Sequence, residues 1–129
     1  MNKNQYSDLH NNMIELMPEE LTYFYDTVNR IKNALKIECN ISNYNHDLIG
    51  GHKNALGICY TDDFKQFFIT VDNYYIHECF IGYDFLSGQT LDEVICHEIA
   101  HMTVWRHGKK HTELMNKYLE IINRKEVAA

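Results

Sequence analysis

The sequence predicts an α+β fold: an N-terminal helix, a small three-stranded sheet, then two C-terminal helices. Three observations carry this. Pro18 followed by two acids starts an apolar stripe of helical period. Two β-like runs flank an acidic turn at Thr61–Asp63. A capping box at Thr90 opens the last third of the chain. The 129 residues (15.3 kDa) fit a single domain, 1–129. With 45% hydrophobic and 23% charged residues, wholesale disorder is set aside.

Met1–Met17 is polar and reads as a flexible N-terminal segment. Proline suits a first helical turn, and Glu19 and Glu20 suit its positive end. Leu21, Phe24, Tyr25, Val28, Ile31 and Leu35 then recur at helical spacing. Ile37–Ile41 alternates apolar and polar residues as a strand does, and Asn43–Gly51 is turn-rich, with Gly50-Gly51 as a breaker. Leu56–Tyr60 and Gln66–Val71 read as strands joined by a Thr61-Asp62-Asp63 hairpin. The aromatic run Asn73–Leu86 has no clear period and takes no assignment.

Thr90 caps a helix that Glu93 reaches back to close, so a helix is expected from Leu91 to about Arg106. Gly108 interrupts, and His111–Asn123 reads as the closing helix, with Leu114, Tyr118, Leu119 and Ile122 on one side.

The net charge of −6 disfavours a surface built as a phosphate-binding field. Met102–Lys125 nevertheless carries +4, which leaves −10 for the remainder. A solvated helix face is the favoured reading of that basic stretch, ahead of a nucleic-acid contact. Cys39, Cys59, Cys79 and Cys96 form no C-x-x-C pair, no secretory h-region opens the chain, and no apolar run suits a membrane span. Reduced thiols and a cytoplasmic, membrane-free protein are expected.

The residues that carry chemistry are His97-Glu98-Ile99-Ala100-His101. Positions four apart share a helix face, so both imidazoles can reach one ion while the glutamate stands beside it. Zinc at such a site acidifies water, and Glu98 is the candidate general base. On a helical wheel Ile95, Ile99 and Met102 form the core stripe, and both histidines fall outside it.

The third ligand is His107 or His111. On an unbroken helix His111 would lie about 15 Å along the axis from His101, and His107 would point away. The chain must therefore bend or stop near Trp105–Gly108, and the spacing favours His107, leaving His111 as a group supporting the ligands, a transition-state stabiliser or, by default, a surface residue. Among the remaining candidates, Tyr74, Tyr75 and Tyr83 offer phenols to an oxyanion. His77-Glu78 reads as surface, Asp62, Asp63 and Asp72 as turn caps, Cys96 as a small buried hydrophobe, and the aromatics mainly as core.

His97–His101, then His107-Gly108-Lys-Lys-His111 and Leu114–Leu119, resemble the SprT-like (Spartan-type) metallopeptidases, whose signature is H-E-x-x-H, H-G-x-x-F and a closing helix. The likeness runs from roughly Glu19 to Asn123, with its specific part in Leu91–Leu119. It implies a minimal zincin (gluzincin-like) domain, one Zn²⁺ on His97, His101 and His107, Glu98 as catalytic base, and a protein or peptide substrate. Family members include proteases acting on DNA-associated proteins. The short His101–His107 gap is shared with WLM peptidases. His111 stands where the family has an aromatic residue, and no paired cysteines follow the site.

Two other functions compete. A three-histidine endoribonuclease shares the ligand spacing but has glycine after the first histidine, where this chain has Glu98. A non-catalytic zinc-supported binding module would keep its function without Glu98.

Overall fold

The computed structural model describes residues 14–49 and 55–128, with side chains described through Arg124. The expectations for residues 1–13 and for Gly50-Gly51 fall outside the described residues. At the end of the N-terminal segment the Ile14 N–H donates to Asn45 Oδ1 (3.3 Å), and Asn73 Nδ2 donates to the Ile14 carbonyl (3.0 Å).

Helix α1 spans Pro18–Leu35, starting where the proline and acids place it. Glu20 Oε1 accepts the Met17 N–H at 3.0 Å, satisfying one of the donors that a helix start leaves open. Phe24, Val28 and Ile31 are its buried stripe. Lys36, at φ +56, closes the helix with its N–H on the Lys32 carbonyl, and the Ile37 N–H bonds to the same oxygen. That left-handed closure uses up residues 36–39. Strand β1 therefore runs Asn40–Tyr44 instead of the expected Ile37–Ile41.

Strand β2 (Gly57–Tyr60) and strand β3 (Phe68–Asp72) pair antiparallel, joined by a longer loop than the expected hairpin turn, Thr61–Phe67. β1 pairs parallel with β3, giving the order β1-β3-β2 with β3 central. Ile69 and Val71 on β3 are fully buried.

The unassigned aromatic run contains helix α2 (Asn73–Phe80) and a short 3₁₀ turn at Asp84–Leu86. Asp72 caps α2 by accepting the Tyr75 N–H (3.3 Å), and it also accepts the His46 N–H (3.0 Å). Within α2 the sequence misleads twice. Glu78 is buried, and His77 is half-exposed and bonded through Nδ1 to the buried Glu20 carboxylate (2.6 Å). The sequence reading places both at the surface.

Helix α3 (Leu91–His101) starts with the expected Thr90/Glu93 capping box. It packs against α1, β2, β3 and helix α4 (Lys109–Ala128), so most of its circumference is buried. Cys96 is fully buried in that packing, as expected. α4 begins two residues ahead of the expected His111 and packs on α3 and α1, with Ile122 in the core and Met115, Tyr118 and Leu119 against it. Its outer face pairs Lys109 with Glu113 and Arg124 with Glu120 at helical spacing, a solvated surface. Among the described residues no helix is long and apolar enough to cross a membrane.

Gly57 shows how closely sheet and helix meet. A Cβ there would lie 2.9 Å from both Glu98 Cγ and Val94 Cγ1. Gly57→Ala is expected to destabilise the fold by about 1–3 kcal/mol through overpacking, as a lowered urea midpoint would show. An unchanged midpoint would mean that β2 and α3 can separate freely.

Candidate metal centre

α3 places His97 and His101 one turn apart, with Nε2 atoms 3.2 Å from each other. The helix stops at His101, five residues before the expected Arg106. The Thr103 and Val104 N–H groups both fold back to the Ala100 carbonyl (3.1 and 2.8 Å), turning the chain out of the helix. Gly108 then takes φ +151, a conformation that side-chain-bearing residues rarely adopt. The turn swings His107 back until its Nε2 stands 3.1 Å from that of His97 and 3.0 Å from that of His101.

Three imidazole nitrogens so placed cannot all be satisfied by one another. A neutral imidazole has one N–H, and His101 Nδ1, 3.2 Å from the Val104 carbonyl, is positioned to donate there. That leaves its Nε2 bare and facing two others. A tetrahedral ion with bonds of about 2.0–2.1 Å spaces its ligand nitrogens about 3.3–3.4 Å apart, so this triangle closes on a metal with little movement. His97, His101 and His107 are a group that can hold a metal ion.

Electrostatics favour the neutral, ligating form. Burial pushes the His97 imidazole down to about 4, with His111, His101 and His107 adding to the effect. Burial lowers His101 as well.

Glu98 shares a cleft of about 290 Å³ with the three histidines, Gly57, Ile58, Cys59 and Trp105. Glu98 is only 4% exposed, and burial raises its carboxyl from 4.5 to about 7. A raised folded-state value means that the folded, metal-free protein binds the proton more tightly than the unfolded chain. Glu98 thus stabilises the fold below pH 4.5, and that contribution fades as pH rises toward 7. Metal-free wild type should therefore lose about 3 kcal/mol relative to Glu98→Gln between those limits. Denaturant titrations of both proteins across that window measure it; parallel curves would refute it.

The default surface reading of His111 fails. His111 is 2% exposed, not a surface residue, because α4 carries it back onto α3. Its Nε2–H donates to the His97 carbonyl at 2.8 Å, and its ring stacks on His101 with centroids 4.1 Å apart. It also meets the His97 ring edge-on at 4.4 Å. The signal available in the sequence was its place three residues after Gly108, in the first turn of the closing helix. Of the proposed phenols, Tyr75 is fully buried and donates to the Gln89 carbonyl (2.6 Å), and neither Tyr74 nor Tyr83 lines the cleft. Asp63 and Asp72 bond to backbone N–H groups, as expected of turn acids.

A larger hollow of about 530 Å³, lined by Lys32, Glu38, Cys39, Lys65 and Phe67 among others, gathers no such set of ligands.

No protein-family model, curated protein or solved structure matches the chain.

Proposed function

We propose that the protein is a zinc metallopeptidase of the SprT-like kind, a minimal zincin that hydrolyses peptide bonds. The observation that carries this reading is the triangle of His97, His101 and His107 Nε2 atoms opening into the same cleft as the buried Glu98 carboxyl. Zinc held by the three imidazoles supplies Lewis acidity toward a carbonyl and makes water easier to ionise. Glu98 supplies the proton acceptor. It takes a proton from the attacking water and returns it to the leaving amine, a role suited to a carboxyl raised by burial to about 7.

β2 is an edge strand of the sheet, and its Gly57, Ile58 and Cys59 line the cleft. An extended peptide laid along that edge would bring its backbone past Glu98. His111 holds the ligand rings: its donor fixes the His97 carbonyl and its ring backs His101. Cys39, Cys59, Cys79 and Cys96 are all free thiols, which suits a reducing compartment such as the cytoplasm.

The test is cleavage of a fluorogenic casein and of a labelled RNA by zinc-loaded protein, before and after chelation. The reading expects casein cleavage that stops on chelation and returns with added zinc, and RNA left intact. Casein left intact by zinc-loaded protein contradicts it, and RNA cleavage in its place favours the endoribonuclease.

A further inference from the structure

Beside the metal cleft the chain holds large aromatic rings in water. Trp105 lines the cleft, is 44% exposed, and meets Phe64 edge-to-face at 5.4 Å. Phe64 is 65% exposed, and Phe67 stands 6.4 Å from it and 6.2 Å from Trp105.

The backbone at Phe64 takes φ +56, a left-handed conformation that favours glycine or asparagine over a bulky side chain. Polar groups hold it there. Thr61 Oγ1 accepts the Phe64 N–H (3.0 Å) and donates to the Gln66 carbonyl (2.6 Å). Asp63 Oδ1 accepts the Lys65 and Gln66 N–H groups (2.9 and 3.0 Å), and these bonds hold its carboxyl below the usual range. The loop thus presents an apolar ring outward, against a tryptophan that belongs to the cleft, in a conformation from which a bulky residue gains nothing on folding alone.

We propose that Phe64, Phe67 and Trp105 form a side-chain subsite of the cleft, which takes a large apolar or aromatic residue of a peptide next to the scissile bond. This deepens the peptidase reading and rests on it. Trp105 lines the cleft and meets both Phe64 and Phe67, so it joins the subsite to the cleft. The charged residues flanking Phe64 and Trp105 in sequence, Asp62, Asp63, Lys65 and Arg106, sum to zero, which puts no excess positive charge beside these rings for a phosphate backbone. A peptide side chain is therefore favoured over a nucleobase.

Trp105 is the chain's single tryptophan, so its emission reports the subsite directly. The experiment titrates zinc-loaded Glu98→Gln protein with short blocked peptides differing at one central residue (Phe, Leu, Ala or Asp), and with oligothymidylate. Phe and Leu peptides should shift the emission to the blue and bind about 10-fold or more tighter than the Ala and Asp peptides. Adding Phe64→Gly, which suits the left-handed backbone, should cut that preference to under about 3-fold, with zinc content and unfolding midpoint unchanged. Equal affinities, a preference that survives Phe64→Gly, or tighter binding of oligothymidylate would overturn the proposal. Because binding is read without turnover, a wild-type protein that cleaves nothing would sink the peptidase reading and leave this preference to be judged separately.

Discussion

Glu98→Gln is expected to lower peptide hydrolysis by about 10²–10⁴-fold while leaving zinc bound. The two side chains have nearly the same shape, so the change removes a proton acceptor and little else. Glu98 is not among the three clustered ligands, so the metal affinity should hold. Nor should the fold suffer, because the site disfavours a charged carboxylate and a neutral amide costs it less. Rate and zinc content measured on the same preparation separate these effects. An unchanged rate would mean that another group is the base. A lost rate accompanied by lost zinc would mean that Glu98 supports the metal instead of the chemistry.

His107→Ala is expected to weaken zinc binding by about 100-fold or more, a larger effect than loss of a supporting partner. His107 is exposed on the turn between α3 and α4, so the substitution removes a ligand without opening the core. The two helix histidines alone cannot close a tetrahedral site against water. His111 is no substitute, since its Nε2 is committed to the His97 carbonyl and its ring is packed under His101. Competition against a chromophoric chelator gives the affinities. Wild-type binding by His107→Ala, lost on adding His111→Ala, would show that His111 is the third ligand.

The parts of the fold legible in the sequence were those governed by local rules. Pro18 and the Thr90/Glu93 box fixed two helix starts because caps act within one turn. Helical periodicity was enough to put His97 and His101 on a common face. The break before His107 followed from geometry, although the helix ends at His101 and not at Arg106; the Thr103 and Val104 bonds to Ala100 leave no trace in composition. β1 slipped by three residues because nothing in Lys36 announces a left-handed closure. α2 was hidden because its cap, Asp72, ends a strand and serves two elements at once.

His111 illustrates the harder case. Its burial depends on α4 packing back across α3, a contact between elements, and no periodicity within either helix reveals it. Phe64 and Trp105 were missed for the opposite reason: aromatics are usually core, and here a polar clamp of Thr61 and Asp63 holds one out.

X-ray absorption at the zinc edge reads directly whether one zinc ion sits on the three imidazoles. Protein loaded with one equivalent should show three imidazole nitrogens and an oxygen donor at about 2.0–2.1 Å, with no sulfur. A sulfur scatterer at about 2.3 Å, pointing to the Cys59 thiolate in the same cleft, or failure to retain zinc at all, would contradict a three-histidine zinc site.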